Sequence, residues 1–381
     1  MNLKSFILGT LFILCNLSLF AQSWPQIGSD IDGEASSDQS GYSSSLSSDG
    51  LTIAIGARNN DGNGTFSGHV RVYNNVNGTW TQVGSDIDGE AAFDASGWSV
   101  SLSSNGNTVA IGAIGNDDGA SGSGHVRIYN NVNGTWTQVG SDIDGEAADD
   151  QSGYSVCLSS NGNTVAIGAP RNDGNGSNSG HVRVYNNVNG TWTQIGSDID
   201  GEAANDNFGH TLTLSSDGNT VAIGAPQNDG NGLNSGHVRV YNNVNGTWTQ
   251  VGSDIDGEAP EDNSGWSVSL SANGSVLAVL ARLNDDNGSN SGHVRIYNNI
   301  NGVWTQVGSD IDGEASGDQA WSVSLSSDGN TVAIGAPQND ANGTQSGHVR
   351  IYKIENGTWI KLGSDIDGEA PEDISGRSVS I

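Results

Sequence analysis

Four acidic side chains recur at fixed offsets along this 381-residue chain, and oxygen ligands spaced in that way suit a hard cation of flexible coordination. The first set is Asp30, Asp32, Glu34 and Asp38, and the second Asp86, Asp88, Glu90 and Asp94. Then come Asp142, Asp144, Glu146 and Asp150, followed by Asp198, Asp200, Glu202 and Asp206. Two further sets are Asp254, Asp256, Glu258 and Asp262, and Asp310, Asp312, Glu314 and Asp318, with a last copy ending at Asp373. Each set lies in or just after the octapeptide Gly-Ser-Asp-Ile-Asp-Gly-Glu-Ala, which occurs seven times at a spacing of 56 residues, once of 55. Ligands at positions one, three, five and nine of a glycine-containing loop point to calcium or a similar cation as the candidate cofactor. The competing reading is that these carboxylates cap turns by accepting hydrogen bonds from backbone N–H groups. At the level of sequence both readings stand.

Other residue types with chemical potential repeat in the same way. His69-x-Arg71-x-Tyr73 recurs at His125, His181, His237, His293 and His348. Six copies cannot make one asymmetric active site, so this motif is expected to form a buried hydrogen-bonded network between units. Trp80, Trp136, Trp192, Trp248, Trp304 and Trp359 follow tight turns and are expected to pack between units. Trp98, Trp266 and Trp321 share a repeat position with Tyr42, Tyr154 and His210, and this variable position is where a ligand preference could reside. No lone nucleophile with a nearby base is visible, so catalysis is not expected.

A period this long and strict means stacked or ring-closed copies of one unit. In the unit from 97 to 152, Trp98–Ser103 alternates as a strand and Asn105-Gly106 turns it. Thr108–Ala113 is a second, doubly buried strand and Ile114–Gly124 a long loop. His125–Tyr129 is a third strand, Asn133-Gly134 a second turn and Trp136–Ile143 the fourth strand. Four antiparallel strands joined by two short turns and two longer loops describe a β-propeller blade. The fold class is therefore all-β, with six complete blades and a partial seventh. That seventh would join an opening fourth strand, Trp24–Ile31, to a closing first strand, Ser378–Ile381, which removes exposed sheet edges. On this reading the sequence stops mid-blade and is a fragment.

The chain resembles the FG-GAP repeat family, whose blades occur in integrin α-subunit heads and in many bacterial surface proteins. The residues carrying the resemblance are Phe208-Gly209 and Gly224-Ala225-Pro226, with Gly168-Ala169-Pro170 and Gly335-Ala336-Pro337 repeating the latter. Ser96-Gly97, Ser152-Gly153 and Ser264-Gly265 depart from the Phe-Gly pair. The resemblance implies a seven-bladed ring used for extracellular binding. It also implies a calcium loop, Asp-x-Asp-x-Asp-Gly, between the first two strands of a blade. Here that hairpin is cut down to segments such as Ser-Ser-Asp-Gly-Asn, so the family's metal site does not carry over.

Residues 1–21, with Lys4 ahead of the apolar run Phe6–Phe20, read as a secretory signal peptide, leaving 22–381 as one propeller domain. Without Lys4 the chain keeps 12 of its 13 basic residues against 43 acids, which disfavours nucleic acid as a partner. No later segment is apolar enough for membrane insertion. The repeated sets supply 28 of the 43 acids and fall on the rim that carries every long loop, a field that concentrates cations and steers basic partners. Cys157 stands where other units have Ser or Thr, so it is a small strand residue. The functional expectation is a secreted or cell-surface binding and adhesion scaffold taking a protein or glycan ligand on the acidic loop face. The alternatives are a glycan-active lyase or hydrolase, or a structural repeat of a larger surface protein.

Overall fold

A computed structural model describes residues 23–381, so the signal segment lies outside the described residues. Six sheets form, each from one repeat, with no helix among the described residues. In the first blade β1 is Ser40–Leu46, β2 Thr52–Ala57, β3 His69–Val76, β4 Thr79–Gln82 and β5 Ile87–Asp88. The order is β1-β2-β3-β4, all antiparallel, and β5 also pairs with β3. The expected fourth strand is thus present but split. Val76 faces Thr79 at one end of β3, and His69 faces Asp88 at the other.

The interruption has a physical cause in the neighbouring blade. Gly84 has a positive φ of 74° and lies so close to the next blade that a Cβ on it would stand 2.8 Å from the Gly134 carbonyl. The Trp136 indole N–H donates to the Val83 carbonyl at 2.8 Å. The same bond joins Trp192 to Val139 and Trp248 to Ile195. Each interruption is therefore where a tryptophan fastens one blade to the preceding one.

The two hairpin turns differ. Asn133 and Gly134 both have positive φ, 54° and 85°, the two-residue primed turn that matches strand twist. At Asn105-Gly106 only the glycine is left-handed, and the Ser103 hydroxyl closes a wider turn onto the Thr108 amide.

The core lies between blades. Ala110, Val126, Ile128 and Ile143 of the second pack against Val156, Leu158, Val165 and Ile167 of the third. The first strand of each blade is innermost and touches that of the next. Side chains stitch these strands together: Leu158 N–H donates to Ser101 Oγ and Leu214 N–H to Cys157 Sγ, which settles Cys157 as a strand residue. The two ends meet between the sixth and first blades. Ser378 Oγ lies 2.8 Å from Ser44 Oγ, Ile381 N–H donates to Ser324 Oγ, and the Trp24 indole donates to the Leu362 carbonyl. No seventh sheet forms among the described residues.

Candidate functional site

Because the first strands are innermost, residues near their starts converge around the axis. Tyr42, Trp98, Tyr154, His210, Trp266 and Trp321 form a circle in which successive ring centroids lie 4.6–5.3 Å apart. Arg377 closes it, 4.3 Å above Tyr42 and 4.8 Å above Trp321. The circle borders a cavity of about 280 Å³ at the channel mouth, on the rim where the blade-to-blade loops enter.

Two more arginines stack on this circle. The Arg58 guanidinium lies 3.7 Å from the Tyr42 ring and 4.4 Å from Trp98, and its Nε donates to Gln39 Oε1. Arg282 lies 4.3 Å from Trp266 and 4.2 Å from Trp321, and donates twice to Gln319 Oε1. Arg171 lines an adjoining pocket with Tyr154, His210 and Trp266. Burial lowers the Arg58 and Arg282 guanidinium pKa values, yet both remain cationic at neutral pH. Burial pushes the Tyr154 hydroxyl up to about 12 and the His210 imidazole down to about 4, so both are neutral when Tyr154 Oη meets His210 Nε2 at 3.2 Å.

The six arginines of the strand motif behave differently. Arg127 Nη2 donates to the Asp88 carbonyl of the preceding loop at 2.6 Å, and its Nη1 lies 3.4 Å from Glu90. Arg71, Arg183, Arg239, Arg295 and Arg350 likewise pair with a carboxylate of the preceding loop. These are structural ties between blades.

The acids of a repeated set do not converge on one point but enter three environments. The last member is buried and caps its own loop. Asp150 is 2% exposed, and its Oδ2 accepts from Ala147 N–H at 3.1 Å and Asn172 Nδ2 at 3.0 Å. Asp38, Asp206, Asp262 and Asp318 make the equivalent pair of bonds, and Asp94 accepts from the amides of Glu90 and Ala91. The second member ends the short outer strand, as Asp144 does beside His125, and burial raises the carboxyls of Asp144, Asp200 and Asp312. Asp32 and Asp256 also give their backbone carbonyls to arginines of the next blade. The first and third members meet across blades. Glu90 faces Asp142 over His125, Glu34 faces Asp86 over His69, Glu146 faces Asp198 over His181, and Glu202 faces Asp254 over His237. Glu258 and Asp310 flank His293 in the same way, and His348 senses Glu314 and Asp365. Asp30 holds Gln26 through its Oδ1.

Turn capping predicts a specific cost. Asp150→Asn places an amide where two donors already converge, so stability should fall by about 1–3 kcal/mol in urea unfolding. The loss should be the same with calcium or with chelator. A calcium-dependent loss would instead make Asp150 a ligand.

The FG-GAP repeat model matches residues 141–185 and 198–241. No curated protein matches the chain. Among solved structures, a putative 6-phosphogluconolactonase from Bacteroides uniformis is similar at 14% identity and TM-score 0.61, over 87% of each chain. A periplasmic gluconolactonase from Pseudomonas aeruginosa is similar at 18% identity and TM-score 0.58, over 87% of this chain and 85% of that one. A hydrazine synthase from Kuenenia stuttgartiensis is similar at 11% identity and TM-score 0.59, over 94% and 93%. At such identities the likeness is one of fold alone. Residues 141–185 and 198–241, which lie in successive blades of the expected strand order, are thus FG-GAP repeats.

Proposed function

We propose that this protein is an extracellular, non-enzymatic binding and adhesion scaffold whose channel mouth takes an anionic saccharide. One observation carries the reading. In a chain with 43 acids, the ion pairs to carboxylates belong to the strand-motif arginines and histidines and to Lys361, while Arg58, Arg171, Arg282 and Arg377 have none among the described residues. These four are also the only arginines outside the strand motif, and they gather where the aromatic circle is. Aromatic faces stack on the apolar faces of sugar rings, and guanidinium edges take carboxylate or sulfate groups in a forked hydrogen bond. The surrounding acidic rim repels free anions at long range, so selectivity favours ligands that offer both features together.

The same reading treats the two ends as an incomplete seventh blade. The bond from Trp24 to Leu362 repeats the tryptophan fastening of the other blades, and Arg377 occupies the seventh place in the circle.

Titration with oligogalacturonate, followed by tryptophan fluorescence, tests the binding role. Each lost charge-assisted hydrogen bond is worth about 1.5–3 kcal/mol, so R58A/R282A/R377A should weaken binding by at least about 100-fold. A neutral cello-oligosaccharide should bind weakly to both proteins. An unchanged titration in the triple variant, or no response of the wild type to uronate or sulfated oligosaccharides, would end the proposal. A second reading, a glycan-active enzyme, draws on the contact between Tyr154 and His210 beside these arginines. Shortened oligosaccharides appearing in the same mixtures would favour it.

A further inference from the structure

We propose that the second and fifth blades each hold a divalent transition-metal ion of the zinc type, one between Glu90, Asp118, His125 and Asp142 and the other between Glu258, Asp286, His293 and Asp310. In each group one ligand atom from every residue lies within 4.8 Å of all the others. His125 Nδ1 is 3.8 Å from Glu90 Oε2 and 3.8 Å from Asp142 Oδ2. His293 Nδ1 is 3.9 Å from Glu258, 3.8 Å from Asp286 and 3.9 Å from Asp310. These distances are too long for hydrogen bonds. They are close to the separation of roughly 3.4 Å between ligands on a tetrahedral ion with bonds of about 2.1 Å, so a modest inward movement completes the shell.

The histidines supply the independent observation. His125 is 0% and His293 1% exposed, and the Nδ1 that each turns toward the carboxylates has no hydrogen-bond partner. Leaving a buried ring nitrogen unmatched costs stability, and metal coordination removes that cost at Nδ1. The carboxylates are already oriented from behind. Gln138 Nε2 donates to the far oxygen of Asp142, and Gln306 Nε2 to that of Asp310. Arg127 and Arg295 lie 3.4 Å and 3.2 Å from the far oxygens of Glu90 and Glu258. Each of these four carboxylates thus has one oxygen held and the other turned to the histidine, the outer-shell arrangement that fixes metal ligands.

The donor set selects the metal. Calcium takes six to eight oxygens, whereas one imidazole with three carboxylates suits a borderline ion. The fourth ligand distinguishes these two blades. Where they carry Asp118 and Asp286, the others have Gly62, Gly174, Gly230 and Ala341.

Zinc titration of the chelator-stripped full chain by calorimetry, with cobalt absorbance as a second readout, decides the matter. Two tight equivalents are expected, with cobalt bands of low-coordinate geometry. D118G/D286G installs the residue found in three sister blades and should weaken both equivalents by about 10–100-fold, without altering the unfolding midpoint in chelator. E90Q/E258Q, at exposed positions, gives the same test should the first variant fold poorly. The proposal is overturned by no saturable zinc binding at micromolar concentration, by calcium competing at equal concentration, or by both variants retaining two equivalents.

Discussion

Gly168→Ala should destabilise this protein by more than about 3 kcal/mol, far beyond the cost of the same change at an ordinary strand glycine. Gly168 is the last residue but one of its blade's second strand and has an ordinary β conformation, so its φ does not demand glycine. Space does. A Cβ there would stand 2.1 Å from the Gly209 carbonyl of the next blade and 2.4 Å from Ser155 Oγ. The first contact is backbone to backbone and cannot be relieved by a rotamer change. Gly56, Gly112, Gly224 and Gly335 meet the next sector at 1.9–2.2 Å in the same way. The fifth blade is the exception and supplies the control. It carries Leu280, which is 0% exposed. The loop that follows is one residue shorter, with Ala320 standing where Ser264-Gly265 occurs one repeat earlier. Removing the glycine whose carbonyl blocks the site makes room for a side chain, and Leu280 fills it against Ala320, Val323 and Ile334. Leu280→Ala should therefore cost about 2–5 kcal/mol as a cavity. Leu280→Gly combined with a glycine inserted after Ala320 should recover most of that loss, because it restores the junction of the other blades. Urea unfolding of the three variants is the measurement. A mild Gly168→Ala, or no recovery on insertion, would mean that the junction is not packed as described.

These junctions show how far a single chain can be read. The six complete blades, their strand order and the burial of the second strand follow from period-two alternation and from asparagine-glycine turns, so they were legible. The split of the fourth strand was not. Val139-Gly140-Ser141 looks like a continuing strand, and only the approach of Trp192 from the next blade explains why Gly140 leaves it. The acids were legible as oxygen ligands, but their grouping was not. Sequence spacing linked Asp86 to Glu90, whereas the ring brings Glu90 to Asp142 over a histidine that had been read only as part of a buried network. That network is also there, through Arg127 and its sister residues. The variable position of Tyr42 and Trp98 was singled out, yet the arginines around it were missed. A signal for them existed: Arg58 and Arg282 stand where Pro170, Pro226 and Pro337 occupy the repeat, and a cation that breaks a repeat has no scaffold role to explain it.

Acidification from pH 7 to pH 4.5 should remove several kcal/mol of stability, although lowering the pH reduces the net negative charge. His210 and His181 are held near 4 chiefly by burial, against 6.5 in an unfolded chain, and Arg282 and Arg183 respectively push them further down. Burial also lowers His125, His237, His293 and His348. The unfolded chain binds these protons first, so the stabilisation is complete above pH 6.5 and is lost as pH falls toward 4. At pH 4.5 a histidine with those two values has given up about 2 kcal/mol. For His210 this is an upper figure, because one edge of its ring opens to the channel. The raised carboxyls of Asp144, Asp200 and Asp312 act in the opposite direction, since the folded state takes up their protons first. Their reference value is 3.8, so they oppose the trend at its acid end and leave the upper part of the window to the histidines. Charge repulsion is reduced by salt, whereas the proton demand of a buried imidazole is not. The trend should therefore survive at 0.5 M salt. His210→Tyr, the residue found at Tyr42 and Tyr154, isolates one contributor: it should flatten the profile between pH 6.5 and 4.5 by up to about 2 kcal/mol while leaving the remaining slope to the strand histidines. Urea unfolding at each pH reads this. A profile that rises toward pH 4.5, or one identical in the variant, would show that repulsion on the acidic rim outweighs the buried imidazoles.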